Sequence, residues 1–351
     1  MGFSNFMLSQ IGKSQPKLVR YLNAVDHKNE TELQAQMIRE FGFIPAPVLL
    51  HSPSRDLYAG MWILLRETLV VGEVPRQIKE ALSLVVSNQN QCPFCIDSHE
   101  MALHSLRQPG IADAIARGVP EEIEDEPVAQ AVGWATGKES GFAPDPADLP
   151  EMLAIVVGFH YLNRIVNVFL EESPLPTPKR APFLKKMMRW FGARMIRQFF
   201  AVKFEPGASL QFLPEAELSS ELSWASASPN VAAALARFDQ AIGREADQSV
   251  SPQVQQLLKD ALPEWDDQKP GMGRDWLDSA VEGHGLDEKE NALARLGLLS
   301  MLASYQVCDD DIAKARTSGA TDRELVATVA WACFTIAKRI GNRLAPGQSA
   351  A

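Results

Sequence analysis

Two cysteines three residues apart, Cys92 and Cys95, and His99, one helical turn further on, form the tightest cluster of reactive side chains in the sequence. Glu80 stands twelve residues before Cys92. A cysteine reacts as its thiolate, and a free thiol with a pKa of about 8.5 is only a few per cent ionised at neutral pH. Three features of this stretch favour the thiolate. The cysteines fall at the start of a predicted helix, where unpaired backbone N–H groups and the positive end of the dipole attract an anion. The partner thiol can donate a hydrogen bond, and His99 shares the cysteines' helix face and can take or relay a proton. Sulfurs one turn apart can also close a small disulfide ring, which suits a cycle in which one thiolate is oxidised to sulfenic acid and the other condenses with it.

The surrounding pattern is helical. Pro75 sits at a first-turn position, and Ile78, Ala81, Leu82 and Val85 mark one face of the helix that carries Glu80. Glu80 lies opposite that face, so periodicity alone places it in solvent. Asn88 to Gln91 interrupt the helix, and the next one begins near Cys92 with Pro93 at a favourable early position, to be stopped by Pro109 and Gly110. Helices are also expected over 30–41, 55–71 and about 129–134, and from Asp148 to Leu170, where Asp148 and Glu151 have capping-box spacing. Beyond residue 221 the pattern predicts helices over 230–242, 252–262, 275–282, 288–304, 309–318 and 322–344, the last with a second capping-box spacing at Thr321 and Glu324. No segment shows sustained apolar/polar alternation, and the fold class is all-α.

The spacing of Glu80, Cys92, Cys95 and His99 resembles the active-site pattern of alkylhydroperoxidase D (AhpD)-like proteins in the carboxymuconolactone decarboxylase superfamily. The resemblance covers about twenty residues, and Pro93 and Phe94 stand where the family often carries a histidine between the cysteines. It implies an AhpD-like helical bundle, assembly as a homo-oligomer, and a thiol peroxidase that needs no metal or organic cofactor. By the same resemblance Cys95 is the peroxidatic cysteine, Cys92 its disulfide partner and proton donor, and Glu80 and His99 the proton relay. The substrate would be hydrogen peroxide or an organic hydroperoxide, and an external dithiol protein or small thiol would reduce the disulfide. A fainter likeness runs from Asp311 to Cys333. RIVN at Arg164–Asn167 recurs as RIGN at Arg339–Asn342, which suggests a tandem duplication. In the second half Ser304, Val307 and Asp311 fall about where Cys, Cys and His would stand, so that half is expected to be catalytically degenerate. Cys308 and Cys333 read as structural, and His104 and His160 as packing residues.

The chain of 351 residues is long enough for two domains. The expected division is 1–172 with the CxxC site, 173–220 as a proline-rich linker and basic amphipathic helix (183–203), and 221–351 as the degenerate repeat. A net charge of −10 argues against a general nucleic-acid binder. Four sparse cysteines argue for the cytoplasm, and no uninterrupted apolar run reaches the roughly 18 residues needed for stable membrane insertion. Other chemistries remain open on the residues. Zinc would want a fourth ligand beside Cys92, Cys95 and His99, and c-type haem attachment would want a histidine where Ile96 stands. A glutaredoxin-like site would want a strand before CPFC. A thiol-disulfide reductase or electron carrier, a lactone decarboxylase and a non-enzymatic scaffold complete the alternatives.

Overall fold

The computed structural model describes residues 9–23, 31–137, 142–175, 187, 190, 192–194, 196–197, 202–262, 270–271 and 273–345. Most of the basic helix expected over 183–203 lies outside the described residues. Among those described there are thirteen main helices and no strand, the only β pairing being a single bridge between Val19 and Leu170.

In the first half α1 is Thr31–Phe41, α2 Arg55–Leu65, α3 Arg76–Gln89, α4 Pro93–Ser105, α5 Pro109–Arg117, α6 Glu126–Ala135 and α7 Leu149–Phe169. In the second half α8 is Pro229–Ser249, α9 Pro252–Asp260, α10 Asp275–Val281, α11 Glu288–Ala303, α12 Asp309–Thr317 and α13 Asp322–Leu344. Most elements lie where periodicity puts them. α4 ends at Ser105, ahead of the expected stop at Pro109, and the addition is α5, which periodicity does not place: Pro109 also opens this helix at a first-turn position, where its missing N–H costs nothing.

Two long helices, α7 and α13, form the most extensive helix pair, and a single contiguous core joins residues of both halves. Gly341, in the RIGN motif of α13, permits this approach, because a Cβ there would run into Val157 of α7. By length and composition α7 could cross a membrane, but 94% of its apolar window is buried inside the bundle, which makes it the core helix. Thr321 and Glu324 form the expected capping box on α13. The matching pair on α7 does not form. The Glu151 carboxylate instead accepts the backbone N–H groups of Glu73 and Val74 at 2.9 and 3.1 Å and pairs with Lys79 at 2.7 Å. A buried ammonium is costly without a counter-charge, so this pairing between residues distant in sequence displaces the local cap and fixes the turn leading into α3.

One further device positions the site. The last turn of α2 widens into a π-helical segment, Arg66–Val70, whose Leu69 and Val70 line the site cavity described below. Its buried Arg66 pairs with Glu40 and Glu67 at 2.6 Å each, and Glu67 accepts hydrogen bonds from the Gly207 amide and the Ser209 hydroxyl, each at 2.6 Å. Gly207 and Ser209 are thereby pinned to the π-helical segment.

Candidate active site

The CxxC stretch begins α4 as its sequence requires. Gln91 has a positive φ of 51°, which turns the chain sharply out of α3, and Cys92 follows as the helix N-cap with Pro93 in the first turn. Such a conformation costs a non-glycine residue roughly 1 kcal/mol. It brings Cys92 and Cys95 together as free thiols with their sulfurs 2.6 Å apart, Cys92 donating to Cys95.

The two sulfurs have different surroundings. Cys95 is 3% exposed and lines a cavity of about 500 Å³, whereas Cys92 is fully buried and lies behind it. Burial first, then the hydrogen bond to Cys95 and the charge on that sulfur, push the Cys92 thiol well above its ordinary value. The Cys95 backbone amide and the Asn163 side chain act against that rise. Within the pair Cys92 is the donor, and the Cys95 sulfur, which faces the cavity, is the acceptor.

Glu80 is 1% exposed, contrary to the outward placement expected from periodicity. Nearly all of α3 from Lys79 to Ser87 is buried, polar residues included, so a polar side chain on this helix no longer marks a solvent face. Glu80 Oε2 lies 2.6 Å from His99 Nδ1, and Arg76 Nε donates to Glu80 Oε1 at 2.7 Å. Burial raises the Glu80 carboxyl, but the Arg76 guanidinium and His99, through charge and hydrogen bonding together, outweigh it and hold the group below its ordinary value. Arg76 is itself anchored by donating to the Leu69 carbonyl of the π-segment at 2.7 Å. The His99 ring stands edge-on to Phe159 with centroids 4.6 Å apart. With an ionised Glu80 on Nδ1, His99 keeps its proton there and is left with Nε2 as the basic nitrogen.

All four residues singled out by spacing are thus gathered in one place, three of them on the cavity wall. That wall is otherwise largely apolar, with Leu65, Leu69, Phe94, Met101, Phe159 and Leu162 among its members. Ser173, at the start of the expected linker, donates to Asp97 of α4 at 2.6 Å, and the following Pro174 and Leu175 reach the cavity. Sequence reasoning missed Arg76 and Asn163. Arg76 had a legible signal, its i,i+4 spacing to Glu80; Asn163 on α7 is 71 residues beyond Cys92 and had none.

His160, Cys308 and Cys333 lie apart from the cavity lining, as does His104. Cys333 is buried in α13, where it donates to the Ser300 carbonyl and burial pushes its thiol up to about 12. Among the described residues no group of three or more His, Cys, Asp or Glu side chains is arranged to hold a metal ion. The arrangement offers a nucleophilic sulfur in an apolar cavity, a second thiol behind it, and a buried carboxylate–imidazole pair to move a proton.

No family model matches the chain, and no solved structure matches it. Over 317 residues, 89% of this chain and 89% of the other, the sequence is 36% identical to an alkyl hydroperoxide reductase of Mycobacterium tuberculosis.

Proposed function

The chain belongs to the AhpD-like family, and on that premise we propose that it is a thiol-dependent peroxidase that reduces organic hydroperoxides and hydrogen peroxide through a Cys95/Cys92 dithiol–disulfide cycle. The observation that carries this reading is the asymmetry of the two sulfurs: Cys95 faces the cavity beside Glu80 and His99, and Cys92 stands directly behind it.

In the first step His99 takes the Cys95 proton through Nε2, and the thiolate attacks the outer oxygen of the hydroperoxide. The O–O bond breaks, a Cys95 sulfenic acid forms, and the leaving alkoxide takes the proton back from His99 and departs as an alcohol. Glu80 stabilises the imidazolium while it exists. In the second step the Cys92 sulfur attacks the sulfenic sulfur, the S–O bond breaks, and the Cys92 proton leaves with the hydroxyl as water. An external dithiol, protein or small thiol, then reduces the disulfide and must reach it through the cavity. The apolar lining favours organic hydroperoxides, because their carbon chains gain about 0.8 kcal/mol per buried methylene, a contribution that hydrogen peroxide lacks. A cycle that rests in the dithiol form suits a reducing compartment such as the cytoplasm.

The test is hydroperoxide consumption by the purified chain with dithiothreitol as reductant. Turnover that Cys95→Ser abolishes supports the reading, and turnover that survives this change contradicts it.

A further inference from the structure

A buried polar chain runs away from Cys92 into the second half of the molecule, and the peroxidase cycle as described leaves it unused. Asn163 Oδ1 accepts from Asn90 Nδ2 at 3.1 Å, so its own Nδ2 faces the other way, where it donates to Ser87 Oγ at 3.0 Å. Ser87 Oγ spends its proton on the Ser83 carbonyl at 2.6 Å and therefore receives from Asn163. Asn90 Nδ2 also reaches His160 Nδ1 at 3.2 Å, and Arg164 Nη1 donates to the same nitrogen at 3.1 Å. Between two donors, Nδ1 carries no proton. Burial and then the Arg164 charge keep His160 well below its ordinary pKa, in agreement with that tautomer.

The second half holds the far end. Arg164 Nε donates to the Met301 carbonyl at 2.9 Å, and Asn167 Nδ2 bridges the Asn90 carbonyl and Ser304 Oγ at 3.1 and 3.0 Å. Asn90, His160, Asn163 and Arg164 are all buried. Asn163 Nδ2 places one N–H on Ser87, and the Cys92 backbone N–H donates to the Ser87 carbonyl at 3.0 Å, so one residue holds both Asn163 and Cys92 and leaves the second Asn163 N–H to act on the Cys92 sulfur. Aligned dipoles in a low-dielectric interior act more strongly than in water.

We propose that Asn163, oriented by Ser87, Asn90, His160 and Arg164, stabilises negative charge on the Cys92 sulfur and so sets the rate at which Cys92 attacks the Cys95 sulfenic acid. The inference rests on the peroxidase reading for its place in the cycle. Asn163 touches a reacting atom; the other four are positioning residues. The reaction it assists forms the Cys92–Cys95 S–S bond, breaks the Cys95 S–O bond, and releases water carrying the Cys92 proton.

The experiment reacts fully reduced protein with one equivalent of tert-butyl hydroperoxide, traps sulfenic acid with dimedone, and follows disulfide formation against pH. In Asn163→Asp, which keeps the shape but loses the donor, disulfide formation is expected to slow by roughly 10–100-fold, the loss of a hydrogen bond to a charged group. Its pH profile should move upward and Cys95 sulfenic acid should accumulate, with the first step within about twofold of wild type. Ser87→Ala, a milder change, should shift the same profile in the same direction by a few-fold. Disulfide formation with diamide, measured in parallel, reads the network without any peroxide. Wild-type profiles for Asn163→Asp and Ser87→Ala with both oxidants would overturn the inference. A wild-type chain that forms the disulfide with diamide but not with hydroperoxide would sink the peroxidase reading, leaving the diamide profiles to decide the role of Asn163.

Discussion

Two helices of this molecule start at a cysteine, and only one of the two starts is equipped for thiol chemistry. Cys92 caps α4 and Cys308 caps α12, and the third helical position holds Cys95 in the first case and Asp311 in the second. At α12 the Asp311 carboxylate takes the Cys308 backbone N–H at 2.9 Å and pairs with Arg274 at 2.9 Å, which makes an exposed structural cap. At α4 the sulfurs are buried, face each other, and have a cavity on one side and the Asn163 chain on the other. A helix start that favours an anion is common to both, so the dipole alone does not make a reactive thiol. On the proposed cycle the second thiol, the Glu80–His99 pair and the apolar cavity at α4 make the difference. The second half of the chain holds the far end of that polar chain through Met301 and Ser304.

The sharpest way to break this comparison is to remove one sulfur from each start. Cys95→Ser should lower hydroperoxide turnover by roughly three orders of magnitude or more, since the oxygen of serine is a poor substitute for a thiolate. Glu80→Gln should cost about 10²–10⁴-fold in the rate of sulfenic acid formation, the usual span for a proton-transfer group, measured by stopped-flow with excess hydroperoxide. The same variant carries a stability test. Because the folded-state Glu80 carboxyl lies below its ordinary value of 4.5, its ionisation stabilises the fold above that range and the contribution is lost as pH falls below it. Acid unfolding of Glu80→Gln should therefore depend less steeply on pH in that window than that of the wild type.

Arg76→Met leaves Glu80 buried beside His99 alone. Burial then wins, the carboxyl pKa rises, and the acid limb of the pH–rate profile should move upward with about a 10–100-fold loss of rate below it. The fold should lose roughly 3 kcal/mol in urea denaturation, the cost of stranding a buried carboxylate. At the other helix start Cys308→Ser should leave turnover unchanged. Its stability should stay within about 0.5 kcal/mol of wild type, on the stabilising side because serine is among the better N-caps.

The parts of the molecule legible in sequence are those set by local rules. The start of α4 was readable from Pro93 after an interrupted helix, and α13 from Thr321 and Glu324, because caps and first-turn prolines act within a few residues. The four site residues were readable through their spacing. What escaped depends on contacts distant in sequence. Glu80 turns inward because α3 packs against α4, α6 and α7 and has almost no solvent side. Glu151 abandons its own helix start for Lys79, 72 residues earlier. The Asn163 chain draws on α3, its following turn, α7 and the end of α11, and no periodicity encodes such a meeting.

The central claim, that the α4 start alone carries a dithiol cycle, is tested most directly by mass spectrometry of the alkylated protein after one equivalent of hydroperoxide, with and without a subsequent dithiol. The expected result is a Cys92–Cys95 disulfide that the dithiol reverses, with Cys308 and Cys333 alkylated as free thiols throughout. Cys92 and Cys95 both remaining free while the hydroperoxide is consumed, or a disulfide that includes Cys308, would contradict it.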